Sequence, residues 1–340
     1  MPRLPRIDFP GLFHHVIARG IERRRIFRRD SDYADFVGRL GRVLSETQTV
    51  CYTWALMPNH IHLLLQTGVT RIARMMQRLL TGYAVSFNLR YGRAGHLFQN
   101  RYKDILCQKD PYFLELVRYI GLNPARAGLV HTPEELAVYP WTGHAVLMGK
   151  MDRPWQSVGP VLEQFGDPLS SRAAYESYVI EAWNQKKHDR FEGGGLIRSC
   201  GGASEALRAV RQGDVYAYDQ RILGDSAFVE ETLKRADQQS EEARSLQTVK
   251  IETLLDVVAD LTGEETQRLG ERGQNRALTS AKAMAVYAGV AWLKQSTAAM
   301  GRCLALSPSA ASRAFERGRL LAEEIQLADR LKAQSIEWLS

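Results

Sequence analysis

Two apolar runs, "VCYTWALM" (50–57) and "HIHLLLQ" (60–66), are separated by Pro58 and Asn59 alone. Each run has strand length, and the residues between them are turn formers, so the pair reads as a tight antiparallel hairpin. Flanking signals extend the pattern. "LFHHVIAR" (12–19), bounded by Gly11 and Gly20, reads as a strand. Residues 30–46 open with Asp and Ser and place Tyr33, Phe36, Val37, Leu40, Val43 and Leu44 at helical spacing. Residues 71–91 read as a long amphipathic helix, 101–108 as a strand, and 110–123 as a helix opened by Asp110-Pro111. The order β-α-β-β-α-β-α matches a split β-α-β: an α+β fold with a ferredoxin-like antiparallel sheet and helices on one face. The last helix can then lie across the face that carries the histidines.

Strand alternation sends His60 and His62 to one face and Ile61 and Leu63 to the other. Two imidazoles so placed can both aim a ring nitrogen at one ion, although a buried strand with two polar passengers is the commoner reason for His-x-His. In "LVRYIGLNPARAGLV" (116–130), Tyr119 and Asn123 are spaced i, i+4 and share a helix face. Asn123 offers a neutral oxygen that suits Mg²⁺ or Mn²⁺, and the imidazoles tilt the choice to Mn²⁺. Taken singly, Tyr119 also reads as a half-buried helix tyrosine and Asn123 as a cap before proline.

Charge points to a polyanion. Through residue 130 the chain holds 20 Lys+Arg against 9 Asp+Glu, and the remainder is mildly acidic. Six arginines fall between Arg19 and Arg29. A basic domain beside an acidic remainder is the footprint of a nucleic-acid binder. "GRAGHLFQNRYK" (92–103) is a glycine-containing basic loop suited to DNA contact through Arg93, Arg101 and Lys103; His96 is not assigned as a ligand. Tyr83, Phe87, Tyr91, Phe98 and Tyr102 alternate with Arg78, Arg90, Arg93 and Arg101, a mixture that stacks bases and holds phosphates. Tyr83 and Phe87 read as helix core. Cys51, Cys107, Cys200 and Cys303 form no C-x-x-C pair, there is no signal-peptide pattern, and no apolar run reaches membrane-spanning length. A reduced, cytoplasmic chain fits.

"WALMPNHIHLLLQ", "YAVSFNLRYGRAGHLFQNRYKD" and "YIGLNPARAGLV" together resemble the single-tyrosine HUH transposase domain, and more narrowly the REP-associated tyrosine transposases, over about residues 8–145. The resemblance implies that His60 and His62 are metal ligands, that Asn123 is the third where several members carry glutamine, and that Tyr119 is the nucleophile. It implies metal-dependent cleavage and rejoining of single-stranded or hairpin DNA through a 5′-phosphotyrosine. Two rivals are a DNA-binding regulator without catalysis and a zinc hydrolase. The zinc reading needs another strong ligand, and neither Cys51 nor Cys107 has suitable spacing.

Residues 146–202 read as a helical extension ending in a glycine-rich linker (191–202), and 203–340 as a helical domain. Within it, 296–321 has the shape of a helix-turn-helix. A helix with Ala299, Met300 and Cys303 inside is followed by a turn at Leu306-Ser307 and a second helix carrying Ser309, Arg313 and Arg317. Residues 276–293 supply a supporting helix. This part resembles the DNA-binding domain of the DnaA initiator, which implies duplex DNA as a partner; a helical bundle without a ligand is the alternative.

Overall fold

The computed structural model describes residues 6–183 and 219–330, apart from 274, 325 and 328. It forms two compact units, dividing between Leu233 and Lys234. The expected glycine-rich linker at 191–202 lies outside the described residues.

In the first unit the chain runs β1 (Phe13–Arg19), α1 (Asp30–Thr47), β2 (Val50–Met57), β3 (His60–Gln66), α2 (Ile72–Arg90), β4 (Lys103–Cys107) and α3 (Lys109–Gly121). The strands lie in the order β2-β3-β1-β4, the ferredoxin-like order, with every pairing among them antiparallel. β5 (Ile222–Leu223) then joins β4 in parallel, so the full sheet is mixed and reaches past the stretch 184–218.

Period-two burial builds a core on each face. Val16, Ile61, Leu63 and Leu65 meet α1 and α2 through Phe36, Leu40, Met75 and Leu79. Phe13, Leu64, Ile105 and Cys107 meet α3 through Phe113, Leu116 and Ile120 on the opposite face. α3 therefore covers the second face of the sheet rather than lying with α1 and α2. Asp30 and Ser31, the expected caps of α1, sit inside its first turn. Arg29 is the cap, and the Asp32 carboxylate reaches back to accept the N–H groups of Arg28 and Arg29 at 2.9 and 3.1 Å.

Beyond α3 come α4 (Asn123–Arg126), α5 (Pro133–Val138), α6 (Gly143–Leu147), α7 (Gly159–Leu162) and α8 (Ser171–Glu181). This extension covers the outer edge of β2. Leu56 donates to the Trp141 carbonyl at 2.9 Å, and Trp54 Nε1 donates to Gln156 Oε1 at 2.8 Å. An edge strand covered in this way is closed to pairing with another chain.

α9 (Ser226–Thr248) spans the division between the units. The second unit continues with α10 (Ile251–Thr262), α11 (Thr266–Leu269), α12 (Arg276–Ala291), α13 (Thr297–Cys303) and α14 (Pro308–Glu324). Its core is formed by residues such as Leu254, Val258, Leu278, Met284, Met300 and Leu304. Gly318 lets α14 approach α12 closely, since a Cβ there would lie 1.8 Å from the Ala283 carbonyl oxygen. Lys282 is buried at 3% exposure and donates to the carbonyls of Glu271 and Leu304, and burial lowers its pKa. Cys303, expected inside, is exposed, while Met300 fills the core. Among the described residues no helix is long and apolar enough to cross a membrane.

Candidate active site

The site grows from the hairpin. A two-residue turn leaves Pro58 and Asn59 no partners in the ladder, and the basic segment after β1 supplies them. Gly20 N–H donates to the Asn59 carbonyl at 2.8 Å; Ile26 and Phe27 donate to the Pro58 carbonyl at 2.8 and 3.2 Å. The chain bends around the turn through Glu22 and Arg23, which take positive φ of 52° and 58°, a strained choice for residues with a Cβ. Gly20 is required there, because a Cβ would meet the Arg24 carbonyl oxygen at 2.2 Å. Much of the arginine-rich block thus has a structural task.

His60 and His62 project from β3 onto the α3 face. Asn59 Nδ2 donates to the Arg23 carbonyl at 3.0 Å, which turns Asn59 Oδ1 toward His60 Nδ1, 2.6 Å away. His62 is 2% exposed. Its Nδ1 lies 3.0 Å from Nε2 of His15, a β1 residue to which no sequence pattern gave a role. The two rings are stacked, with centroids 5.3 Å apart. His14 points to the opposite face, with Nδ1 2.9 Å from Asp104 Oδ1. The "HH" pair is therefore split across the sheet, and only its second member joins the site. Alternation along "FHHVIAR" gives that parity; the neighbour becomes known only with the register that sets Ile17 opposite His62.

α3 lays Tyr119 over these rings. The phenol ring stands edge-on to His15 and His62, with centroids 5.9 and 6.0 Å away, and Tyr119 is 2% exposed. Arg126 of α4 holds its guanidinium 5.2 Å from the Tyr119 ring centroid and donates to the Tyr119 carbonyl at 3.3 Å. The helix breaks at Leu122, so Asn123 begins α4 instead of continuing α3. Its Nδ2 donates to the carbonyls of Tyr119 and Ile120 at 3.0 and 3.4 Å, a helix-end cap that leaves Oδ1 as the atom for any ligand role. Among the described residues no three His, Cys, Asp or Glu side chains converge as ligands of one ion. The donor set offered by the sequence is two imidazoles and one amide oxygen.

Residues 9–123 match the family model described as "Transposase IS200 like". The match covers this segment alone, and it supports an enzyme of DNA transposition. A solved structure, the REP-associated tyrosine transposase bound to a REP hairpin, is similar at 16% identity with a TM-score of 0.37, covering 47% of this chain and 93% of that one. No curated protein matches the chain.

The basic residues expected at DNA fall in different places around the transposase domain. Lys103 is exposed at the start of β4, paired with Ile17, which on its other side pairs with His62. Two strand spacings, about 10 Å, separate Lys103 from His62 along one row. Arg101 is exposed; Arg93 is half-buried, its guanidinium 5.8 Å from the Phe87 ring centroid. Arg78 and Arg90 are tied to carboxylates of α1, Arg78 to Glu46 and Arg90 to Asp32 and Asp35. Tyr83, Phe87 and Tyr102 are core residues, and burial pushes the Tyr83 and Tyr102 phenols far above their usual range. The mixed aromatic and basic stretch is therefore mostly packing, with its loop part left for DNA. Cys51 and Cys107 are buried in separate cores, and burial raises the Cys51 thiol. In the second unit Ser309 and Arg313 are exposed on the first turns of α14, whereas Arg317 donates to the Thr279 carbonyl of α12 at 2.9 Å.

Proposed function

We propose that the transposase domain cleaves and rejoins single-stranded or hairpin DNA at a specific site through a 5′-phosphotyrosine formed on Tyr119. The observation that carries this reading is the phenol of α3 packed edge-on against His62 of the His-x-His strand and His15 of β1. A free phenol, with a pKa near ~10, is a weak nucleophile at neutral pH and needs an electrophile whose charge is already drawn off. Two imidazoles and an amide oxygen, all neutral donors, fit a divalent ion of the Mg²⁺ or Mn²⁺ type, with His60, His62 and Asn123 as the residues that would hold it. Such an ion, when bound, withdraws charge from the scissile phosphate and aligns it for in-line displacement.

The chain's own groups do the rest. Tyr119 Oη bonds to phosphorus and gives up its proton. The bond from phosphorus to the upstream 3′ oxygen breaks, and that oxygen leaves as a free 3′-OH after taking up a proton. The downstream strand stays on the enzyme as a 5′-phosphotyrosine. Attack by another 3′-OH reverses the exchange, so no nucleotide cofactor is consumed. Arg126 beside the tyrosine and Lys103 on β4 supply positive charge for phosphate, and Arg101 and Arg93 of the 92–103 loop are further DNA contacts in this reading. Tyr119 is 2% exposed, so its hydroxyl has to be uncovered before it meets a backbone phosphate.

We assign catalysis to residues 1–145 and duplex DNA binding to the helical region 203–340, with 146–202 joining them. α13, the four-residue turn 304–307 and α14 have helix-turn-helix order, and Ser309 and Arg313 stand at the exposed start of the second helix, where such motifs meet the major groove.

The test is direct. The full chain is incubated with Mn²⁺ and labelled single-stranded DNA from the regions flanking its gene, and a covalent adduct is sought. Tyr119→Phe removes one oxygen and should abolish the adduct while DNA binding persists. An undiminished adduct would move the nucleophile elsewhere, first to Tyr112, also on α3. An adduct unchanged by chelation would remove the metal from the reading.

A further inference from the structure

The two histidines of β3 share a feature that neither sequence spacing nor the proposed ligand set requires. Each has its Nδ1 engaged by another side chain, His60 by its neighbour in the turn and His62 by a residue of the adjacent strand. For His60 the partner is Asn59 Oδ1 at 2.6 Å. The amide cannot be reversed there without cost, since Nδ2 donates to the Arg23 carbonyl at 3.0 Å. An amide oxygen only accepts, so His60 donates from Nδ1. The contact is held by a turn whose two carbonyls are both taken up by the segment Gly20–Phe27. The positive-φ residues Glu22 and Arg23 shape that segment, so local backbone strain is spent on presenting the Arg23 carbonyl to Asn59.

For His62 the partner is His15 Nε2 at 3.0 Å, from a residue that is 1% exposed on the neighbouring strand. A contact between two ring nitrogens needs one proton. If His62 donates, it carries its lone pair on Nε2, the same nitrogen that His60 presents. If His15 donates, neutral His62 carries its one N–H proton on Nε2 and cannot offer that atom to a cation. Metal-ligating histidines ordinarily donate their other ring N–H to a fixed acceptor, which sets both tautomer and ring orientation.

We infer that His15 and Asn59 are positioning residues, each accepting an Nδ1–H and fixing His62 and His60 with Nε2 as the nitrogen presented to a divalent cation. The inference rests on the metal-assisted reading above and concerns residues outside its ligand set. It explains why a histidine occupies a central position of β1 where an apolar residue would pack as well. It also gives part of the arginine-rich segment a function separate from DNA contact.

Two measurements on the full chain test it. In the metal-free protein, long-range ¹H–¹⁵N spectra of the imidazoles should show His60 and His62 as Nδ1–H tautomers. An Nε2–H tautomer at His62 overturns the assignment to His15. Calorimetric titration with Mn²⁺ should then show a 10- to 100-fold loss of affinity, on the order found when such outer partners are removed, in His15→Phe and in Asn59→Leu. His15→Gln sets an amide in place of Nε2 and should recover affinity to within a few-fold of wild type. If the phenylalanine variant fails to fold, the His62 tautomer in the unmutated chain and the Asn59→Leu affinity carry the test. Wild-type affinity in both His15→Phe and Asn59→Leu, together with a mixed His62 tautomer, refutes the inference. Absence of Mn²⁺ binding by the wild-type chain would instead refute the metal reading of the site, and the tautomers would still decide whether His15 and Asn59 hold the rings.

Discussion

Lowering the pH from 7 to 5 should loosen the support beneath α3 by about 2 kcal/mol, and His144 should account for the loss. This imidazole of α6 is 3% exposed, with Nδ1 2.8 Å from the hydroxyl of Tyr175, which is itself wholly buried. It backs the helix that bears Tyr119, because a Cβ on Gly121 would lie 3.6 Å from the His144 Cβ. Burial pushes its pKa from 6.5 down to about 4. Between those values the unfolded chain takes up a proton that the folded chain refuses, so stability falls as pH falls through the window. At pH 5, roughly 1.5 units below the unfolded value, the difference amounts to about 2 kcal/mol at about 1.4 kcal/mol per unit. Other groups titrate over the same range, so the assay compares the wild type with His144→Phe. Urea unfolding is followed at each pH by hydrogen-exchange protection of peptides from α3 and α6, which keeps the second unit out of the signal. The variant should be less stable at pH 7 and should lose about 2 kcal/mol less on acidification. Equal losses in the two proteins would mean that His144 is not held neutral by burial, and the reasoning would fail.

Two further outcomes separate the roles assigned to the two units. Joint replacement of Ser309 and Arg313 by alanine should weaken duplex binding and reduce the log–log salt slope by roughly 0.9 for each phosphate that the variant leaves unneutralised, while adduct formation on hairpin DNA stays at the wild-type level. An unchanged slope would remove α14 from the DNA interface. Gly318→Ala sets a methyl group 1.8 Å from the Ala283 carbonyl oxygen, so α12 and α14 must separate. Overpacking of this kind costs about 1–3 kcal/mol, to be seen as lower exchange protection in those two helices with α1 and α2 unaffected.

The local elements of the transposase domain were legible because they depend on short-range rules. Alternation alone places His60 and His62 together and away from Ile61 and Leu63, and two-residue spacing alone makes 50–66 a hairpin. The apolar spacing of residues 33–44 and 72–90 likewise specifies the helices and the face each buries. What the tertiary structure decided lies where chain-distant groups meet. His15 is 47 residues from His62, and their contact depends on β1 lying between β3 and β4 in one register; a one-residue slip would turn His15 to the other face. Asn123 shares a helical spacing with Tyr119, yet the break at Leu122 turns its amide back onto the carbonyls of the preceding turn. Arg78 and Arg90 look like phosphate ligands in the sequence, but α1 lies beside α2 and its carboxylates take them. β5 is two residues long, too short to leave a periodic signal, and exists because β4 offers it an open edge. Lys282 sits in an otherwise apolar helix pattern and is buried because two carbonyls at the ends of other segments converge on its ammonium. Periodicity is a property of the backbone and can be read along the chain. These contacts depend on which surfaces meet when the apolar faces are buried together, and that packing is fixed only once the whole unit has closed.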